Sequence, residues 1–319
     1  MEISKGSLTA LISAFGRAYH SIHDEPKIFD DFLAKSMMTE ETFLFIGKSL
    51  AGSIGFFDPE FAAGKPSEDQ ACSHLMKIHS TPLTLSRARY MEDCLEAAVA
   101  RGVSQYVILG AGMDTFAFRR KDLLKKLQVY ELDQSVTQDY KRNRLMELGW
   151  DIPDRLHLLS VDFSRDNLAE VLVNAGYDTG KAGFFNWLGV TYYLERRDVL
   201  AVLGRVAGIS APGSVIVFDY LDMDAFDGNK VSKRTAKVLE IVKTAGEPMK
   251  TGFDPAGLKT LLLEAGLQLV EDMTPDAIQK EYFDGRTDGY SASEHFHIAK
   301  ARRMPGQEGY SNQSETTQL

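Results

Sequence analysis

A glycine-bearing turn after a short apolar run constrains this chain more than any other stretch of its sequence. The run ends in Gly-Ala-Gly at positions 110–112, a helix-like segment follows, and Asp133 lies 23 positions beyond Gly110. A buried strand, a glycine turn, a helix and a second strand with an acidic end make up a nucleotide half-site of a doubly wound α/β domain. Thr115 and Phe116 stand where a dinucleotide site needs a third small residue, which favours a smaller adenosine cofactor.

Seven apolar runs that alternate with helical patterns predict one large sheet. The early runs are continuous, as expected for strands that helices cover on both faces, whereas the last one alternates and is predicted to be an edge or antiparallel strand. The fold prediction is a doubly wound, seven-stranded, mostly parallel α/β sheet of Rossmann-like type. The predicted strands are Gln105–Leu109, Gln128–Leu132, Leu156–Ser160, Gly183–Trp187, Ser214–Asp219, Gln268–Met273 and His295–Ala301. Helices are predicted from Pro82 to Gly102 and at 134–148, 165–175, 195–209 and 255–265.

The residues before Pro82 show no such alternation and are predicted to form a helical cap. Helical spacing of apolar residues occurs at 8–19, 28–33 and 43–50, while glycine and proline predict a loop over 52–70. A polar C-terminal stretch is predicted to be disordered. The chain is therefore predicted to divide into a helical cap or substrate lid at 1–81, a cofactor-binding domain at 82–303 with a substrate-side insertion at 222–252, and a disordered tail at 304–319.

Composition and charge narrow the classes of partner. The 319 residues suffice for one large α/β domain or two small ones, and the net charge of −9 disfavours a nucleic-acid partner. The two cysteines, Cys72 and Cys94, lack metal-ligand spacing and suggest core thiols in a reducing cytosol. No run approaches the roughly 18 apolar residues of a membrane helix, and the N-terminus does not have a signal-peptide pattern. The protein is expected to be soluble and cytoplasmic, without membrane or nucleic-acid contacts.

Acidic residues stand where the predicted strands end. Glu131 and Asp133 end the second strand, where a carboxylate can accept hydrogen bonds from both ribose hydroxyls. Asp162 ends the third strand and could bind the adenine amino group while the ring of Phe163 packs on the base. Asp114, near the start of the helix after the turn, would repel a pyrophosphate and suit a cationic ligand. Each of these carboxylates could instead be an ordinary helix cap.

Two further sets of side chains could face the same crevice, since ligands of open α/β sheets bind at the carboxyl ends of the strands. Arg87 and Arg89 lie on the helix before the glycine strand, and an arginine directed at the crevice could bind a carboxylate with two hydrogen bonds. Asn186, Tyr192 and Tyr193 follow the fourth strand and either face the reaction centre or pack in the core. The seven histidines show no metal-ligand pattern.

Five motifs occur in a recognisable order: SRARYMEDCL, YVILGAGMDTFAFR, VYELDQ, VDF and WLGVTYYL. With them, from about Pro26 to about residue 300, the chain resembles the leucine carboxyl methyltransferase-like family of class I S-adenosylmethionine-dependent methyltransferases. That family includes bacterial O-methyltransferases grouped with polyketide carboxyl methyltransferases. The resemblance implies the class I methyltransferase fold, S-adenosyl-L-methionine as the cofactor and methyl transfer as the reaction.

The resemblance also implies roles for individual residues in binding that cofactor. Many relatives carry a glutamate in the fourth-strand motif where this chain has Asn186, so a cofactor contact at this position departs from the family pattern. By this resemblance, Arg89 would bind the methionine carboxylate of the cofactor. Gly110 and the neighbouring backbone of Ala111 and Gly112, beside Asp114, would pack against the methionine moiety. Asp133, supported by Glu131, would bind the ribose, and Asp162 and Phe163 would hold the adenine.

The methyl acceptor stays open between a carboxylate and a hydroxyl of a small molecule. A carboxylate is ionised at neutral pH and needs no general base, whereas a hydroxyl does. No histidine occupies a base position that the family defines, which mildly favours a carboxylate, although the histidines at 20, 23, 74 and 79 in the cap could serve. Tyr192 and Tyr193 are the candidates for orienting the acceptor.

Three other functions are compatible with parts of the pattern. A nicotinamide-dependent oxidoreductase would need a third close-packing glycine and a catalytic Tyr-Lys pair or histidine, which the sequence does not show. A protein C-terminal carboxyl methyltransferase would need a cleft open to a chain terminus, whereas a closed cap suggests a small acceptor. A cofactor-binding protein without catalysis would bind the cofactor and transfer no methyl group. The oligomeric state is not indicated by any of these features.

Overall fold

Eight strands form one sheet at the centre of the computed structural model, which describes residues 5–163 and 165–305. They are β1 (Gln105–Leu109), β2 (Gln128–Asp133), β3 (Leu156–Ser160), β4 (Gly183–Trp187), β5 (Val215–Asp222), β6 (Gly252–Phe253), β7 (Leu267–Met273) and β8 (Phe296–Arg303). The order is β3-β2-β1-β4-β5-β8-β7, with β6 beside the end of β5. Because β8 alone runs antiparallel to its neighbours, the predicted mostly parallel α/β fold is confirmed.

Two details of the sheet differ from the prediction. β6 was not predicted, because a strand of two residues carries no periodic signal. β8 is antiparallel as expected, but it lies between β5 and β7 and is not an edge strand. Its alternating polar side chains have partners on β7: His297 Nδ1 lies 3.3 Å from Asp272 Oδ1, and Lys300 pairs with Glu271. Polar residues in this strand are therefore explained by their partners on the neighbouring strand and do not mark an edge of the sheet.

Helices cover the sheet and make up its N-terminal cap. Within the described residues, no helix combines the length and the apolar character needed to cross a bilayer. The helices are α1 (Lys5–His23), α2 (Glu40–Gly52), α3 (Ile54–Phe57), α4 (Pro59–Ala63), α5 (Glu68–Ile78), α6 (Thr81–Ala100), α7 (Phe116–Arg119), α8 (Lys121–Leu124), α9 (Ser135–Glu147), α10 (Leu168–Asn174), α11 (Arg196–Ile209), α12 (Lys233–Thr244), α13 (Pro255–Glu264) and α14 (Pro275–Ile278). Shorter turns are the 3₁₀ helices Ala34–Met37, Thr191–Tyr193 and Met223–Phe226 and the π-helical Gln279–Phe283.

The cap is helical as predicted, but two of its segments were predicted wrongly. Residues 28–33 are not helical. Ile28 and Phe29 belong to an irregular segment, and their side chains are buried. The predicted loop at 52–70 holds α3, α4 and the start of α5. Two residues of this segment mark helix starts. Pro59 is in the first turn of α4, and Ser67 caps α5, where its side chain accepts a hydrogen bond from Gln70 N at 3.2 Å. The division at residue 81 stays a prediction, and the tail lies outside the described residues from 306 onwards.

The cap shares its hydrophobic core with one face of the sheet. Leu11 and Phe15 of α1 belong to the same buried cluster as Tyr106 of β1 and Phe184 of β4. The alternate residues of these strands, with α10, α11 and α13, form a second cluster on the other face. Burying an apolar side chain of this size stabilises a fold by roughly 1.5–3 kcal/mol. The cap is therefore fastened to the sheet by apolar packing.

The long connection between β5 and β6 returns to the end of β4. It contains α12 and then the residues 246–251, which have no regular structure. The backbone N–H of Lys250 donates to the carbonyl of Tyr192 at 2.6 Å, and Thr251 Oγ1 donates to the carbonyl of Leu194 at 2.6 Å. This segment, part of the predicted insertion at 222–252, is thereby held against the carboxyl end of the sheet.

Candidate cofactor and acceptor site

A cavity of about 500 Å³ lies at the carboxyl ends of β1, β2 and β4. The strand order reverses between β1 and β4, which is where open α/β sheets bind ligands. Its walls come from the glycine turn, the ends of these strands, α6, α1 and the residues 246–250. Its volume falls in the range of about 300–1,000 Å³ that is typical of small-molecule sites.

The glycine turn brings bare backbone to the cavity. Gly110 and Gly112 have φ values of 76° and 53°, a region that side chains disfavour. The backbone N–H groups of Gly110 and Ala111 both donate to the carbonyl of Leu132, at 2.8 and 3.0 Å, which fixes the turn to β2. A Cβ at Gly110 would lie 2.5 Å from Val190 Cγ2, so no larger residue fits there. The turn is thus a cradle whose backbone a ligand can approach closely.

Asp133 ties the end of β2 to this turn and lines the cavity. Its carboxylate accepts hydrogen bonds from the backbone N–H of Gly112 at 2.6 Å and of Gln134 at 2.7 Å. Burial raises the pKa of Asp133 above its usual range, while these two N–H donors oppose the rise. Asp133 is therefore in the position that the sequence predicted.

The other predicted carboxylates are placed differently from one another. Asp114 lines the cavity, and its Oδ1 accepts a hydrogen bond from the backbone N–H of Phe116, the first residue of α7, at 2.7 Å. Glu131 is completely buried below the turn, pairs with Lys141 and does not line the cavity. Phe163 lines the cavity, but its neighbour Asp162 does not. Of the two residues predicted to contact the adenine, Phe163 therefore lies in the cavity wall and Asp162 does not. Both roles stay predictions.

The structure places Arg87, and not Arg89, in the cavity wall. Residues two apart on a helix point to different sides, so only one of them faces the sheet. Arg87 donates through Nη1 to Asp219 Oδ2 at 2.7 Å and to Tyr192 Oη at 3.0 Å. Burial alone would lower the pKa of Arg87, but Tyr192 and Asp219 raise it on balance, so the guanidinium stays charged. Arg89 instead forms a partly exposed ion pair with Asp93 on its own helix.

Arg87 packs closely against Gly189, just beyond the end of β4. A Cβ at Gly189, whose φ is 77°, would lie 2.7 Å from Arg87 Nη2. Asn186 lines the cavity; its Nδ2 donates to Tyr106 Oη at 3.1 Å, and its buried Oδ1 has no partner among the described residues. An orphaned buried oxygen of this kind is expected to bind a donor of a ligand or a water.

The two tyrosines predicted to orient the acceptor are separated by the fold. Tyr193 lines the cavity. Tyr192 is buried outside the lining, where its hydroxyl accepts the hydrogen bond from Arg87. The structure therefore leaves Tyr193 as the member of the pair that can meet a ligand.

The roof of the cavity consists of residues that the sequence did not single out. Arg17 of α1 donates through Nε to Asp31 Oδ2 and through Nη2 to the carbonyl of Met113, both at 2.8 Å. At the other end of α1, the hydroxyl of Thr9 donates to the carboxylate of Glu247. α1 is thus hydrogen-bonded to the glycine turn and to the connection after α12. No local motif marks these residues, because their partners are far away in the sequence.

Comparisons with known proteins agree with this geometry. The family model for leucine carboxyl methyltransferase matches residues 10–207. The chain is 38% identical over 302 residues to a protein of Bacillus subtilis (strain 168) named as the S-adenosyl-L-methionine-dependent methyltransferase YktD, with 94% of this chain and 99% of that protein covered. It is 29% identical to an S-adenosyl-L-methionine-dependent methyltransferase of Mycolicibacterium vanbaalenii, over 73% of this chain and 72% of that protein. The crystal structure of a DUF574 family protein from Streptomyces avermitilis shares the fold, with a TM-score of 0.52 and 14% identity over 75% of this chain and 91% of that one.

Three features of the cavity fit S-adenosylmethionine. The glycine turn presents backbone without side chains to the cavity at positive φ, Asp133 lines the cavity at the end of β2, and the amide oxygen of Asn186 is buried without a partner among the described residues. The relatives use this cofactor, so the alternative of a nicotinamide-dependent oxidoreductase is set aside. The chain belongs to the leucine carboxyl methyltransferase family and is an S-adenosylmethionine-dependent methyltransferase.

Proposed function

We propose that this methyltransferase transfers the methyl group to an oxygen of a small molecule, a carboxylate or a hydroxyl. The observation that carries the proposal is the roof over the cavity. α1 is joined to the turn through Arg17 and to the connection after α12 through Thr9, so one side of the cavity is covered by a helix. A cavity of about 500 Å³ that α1 covers on one side favours a small acceptor over a protein.

We propose that the strand ends hold the cofactor, which supplies a methyl group on an electrophilic sulfonium. Asp133 would accept hydrogen bonds from the ribose hydroxyls, and Phe163 would pack against the adenine. Arg87 would bind the methionine carboxylate, a role that the sequence assigned to Arg89, because Arg87 is the one in the cavity wall. Asn186 Oδ1 would accept from a polar hydrogen of the methionine end.

The acceptor would lie between α1, Tyr193 and the residues 246–250. Lys250 is a cation of this wall, and its ion pair with Glu195, at 3.4 Å, joins two side chains that are 44% and 55% exposed. Such a pair contributes only about 0–1 kcal/mol, so Lys250 can exchange it for an anionic acceptor at little cost. Tyr193 offers a hydroxyl for orienting that acceptor. The predicted substrate-side role of 222–252 is supported by this placement.

The side chains of this wall also bear on the choice between the two acceptors. No histidine or cysteine occurs among the described residues that line the cavity. A carboxylate needs no base, so the wall serves it by holding it in line with the methyl group and excluding water. A hydroxyl would need a base, and Glu247 is the carboxylate available there. The proposal therefore favours a carboxylate acceptor.

A methyl-transfer assay tests the proposal. The purified protein is incubated with methyl-labelled S-adenosylmethionine and panels of small carboxylates, phenols, alcohols and amines, with a peptide carboxyl terminus alongside. We expect label in a small-molecule product that mild alkali releases as methanol, as a methyl ester requires; an alkali-stable product from a phenol or alcohol would indicate an ether. Label confined to amines or to the peptide would contradict small-molecule O-methylation. Binding of S-adenosylhomocysteine without transfer to any acceptor would indicate a cofactor-binding protein without catalysis.

Two glycine substitutions provide a matched control for this assay. Gly110→Ala places a Cβ against Val190 in the cavity, whereas Gly149→Ala introduces a side chain at a comparable positive φ of 64° with no atom within 4 Å. Both strain the backbone, but only the first also presses a side chain against Val190, a residue that lines the cavity. We expect transfer to be lost in the Gly110→Ala variant and retained in the Gly149→Ala variant.

A further inference from the structure

A lysine is buried beneath the glycine turn without touching the cavity. Lys141 lies on α9, and its side chain is 1% exposed; its partner Glu131, at the end of β2, is 0% exposed. Lysine is almost never buried to this degree unless its charge is paired. Nothing in the cofactor contacts proposed above uses either side chain, so the pair calls for a separate explanation.

The ammonium group of Lys141 joins three parts of the chain. It donates to Glu131 Oε2 and, at 2.6 Å, to the backbone carbonyl of Asp114, two residues beyond Gly112. Gln138 Nε2, one turn earlier on α9, donates to the backbone carbonyl of Glu131 at 3.0 Å. The end of β2, α9 and the exit from the glycine turn are therefore held together at one buried point.

The pair is a poor choice if stability is its purpose. Taking two charges out of water costs several kcal/mol per ion, and apolar residues of similar volume often stabilise a fold as well or better. Glu131 shows this cost: burial raises its pKa to about 7 although Lys141 opposes the rise, and its Oε1 has no partner among the described residues. An apolar pair, however, could not donate a hydrogen bond to the carbonyl of Asp114.

We propose that Lys141 is a positioning residue for the cofactor: by holding the carbonyl of Asp114 against Glu131, it sets the path of the backbone from Gly110 to Asp114. Glu131 keeps the ammonium in place, and Gln138 keeps Glu131 in place. This inference rests on the cofactor placement proposed above, in which the cofactor packs against the backbone of this turn; its affinity then depends on a side chain that does not contact it. The proposal is independent of the identity of the methyl acceptor.

Three variants test this role by binding of S-adenosylhomocysteine in calorimetry and by thermal unfolding. Lys141→Met removes the donor and leaves Glu131 unpaired. The double variant Glu131→Gln with Lys141→Met removes both charges together. Arg142→Met is the matched control, because Arg142 is the next residue of α9 but donates to the carbonyl of Leu158 on β3 and not to the turn.

The expected result separates affinity from stability. Lys141→Met should weaken binding by about 10- to 100-fold, the range for losing a hydrogen bond from a charged donor, and should also lower the Tm. The double variant should recover most of the Tm but not the affinity, while Arg142→Met should bind within about two-fold of the parent. The proposal is overturned if the double variant binds as tightly as the parent, or if affinity and Tm fall and recover together across the series.

Discussion

The two halves of the cavity are held in place by different kinds of interaction. The strand-end half, made of the glycine turn, Asp133 and Arg87, is fixed by backbone hydrogen bonds within the sheet and by buried ion pairs. The roof half, made of α1, Tyr193 and residues 246–250, is joined by side chains far apart in the sequence, such as Thr9 and Glu247, which are 238 positions apart. The proposed cofactor end is therefore set by the fold itself, and the proposed acceptor end by a few contacts between side chains.

This difference has a consequence for variants of the two halves. Changes in the strand-end half should alter cofactor binding strongly and should be difficult to compensate. Changes in the roof half should alter the response to the acceptor and leave cofactor affinity nearly constant. The affinity for S-adenosylhomocysteine tests the first expectation, and the acceptor KM tests the second.

The largest effect is expected from the arginine in the cavity wall. Arg87→Lys keeps a positive charge beside Asp219 but loses the planar guanidinium that can bind a carboxylate with two hydrogen bonds. We expect the Kd for S-adenosylhomocysteine to rise by about 100-fold in calorimetry, since hydrogen bonds between charged groups are each worth about 1.5–3 kcal/mol. Arg89→Lys is the matched control and should bind as the parent does. If Arg89→Lys weakened binding of S-adenosylhomocysteine more than Arg87→Lys did, the methionine carboxylate would be assigned to Arg89 instead.

A smaller effect is expected at the end of β2. Asp133→Asn keeps one oxygen that can accept from Gly112 N, but it loses the charge that the ribose hydroxyls would meet. We expect the affinity for S-adenosylhomocysteine to fall by about 10-fold, because one charged acceptor becomes neutral. Asp139→Asn, an exposed change on α9, controls for the loss of a surface charge. Equal affinities of the two variants would remove Asp133 from the binding site.

The roof half should respond in the other measurement. Thr9→Val removes the hydrogen bond from α1 to Glu247 while keeping the shape of the side chain. We expect the acceptor KM to rise by about 3- to 10-fold with unchanged affinity for S-adenosylhomocysteine; the effect is smaller than that of losing a hydrogen bond to a charged ligand, because this bond positions α1 and does not contact the acceptor. Thr244→Val removes a hydroxyl on α12 that donates only within its own helix, and it should leave both values unchanged. A loss of cofactor affinity in Thr9→Val would mean that the two halves are not separable.

The smallest effect is one of pH, and it concerns the cap. Burial lowers the pKa of His79, between α5 and α6, to about 4. An unfolded histidine binds its proton near pH 6.5, so the folded state loses stability as the pH falls from about 6.5 to about 4. We expect the Tm of His79→Gln to fall less between pH 7 and pH 5 than that of the parent, as measured by thermal unfolding. Parallel pH profiles would show that other groups control the acid stability of the cap.

The strand-end half could be predicted from the sequence because its signals are local. β1, β3 and β4 have the predicted bounds, since each is a short apolar run between turn residues. Asp133 could be placed at the cavity because the carboxyl end of a strand next to a glycine turn has a fixed place in this fold, while its contact with the ribose stays a prediction. The choice between Arg87 and Arg89 could not be made, because it depends on which side of α6 packs on the sheet.

The roof half could not be predicted for a different reason. Thr9, Asp31 and Glu247 are ordinary polar residues whose partners are determined only when remote segments pack together. The same holds for the buried ion pair of Lys141, since an isolated lysine in a polar helix predicts an exposed side chain. Hydrophobic periodicity indicates which elements exist, but it does not indicate which polar groups they bury between them.

The shared core of α1 and the sheet limits how ligands exchange. Swinging α1 away as a whole would expose Leu11 and Phe15, which are now buried with Tyr106. At roughly 1.5–3 kcal/mol for each side chain, that state would be occupied by about one molecule in a hundred to one in ten thousand or fewer. Breaking the hydrogen bond between Thr9 and Glu247, at the N-terminal end of α1, does not require Leu11 or Phe15 to leave the core. Cofactor and product are therefore expected to enter and leave past the N-terminal end of α1, while the rest of the helix stays packed on the sheet.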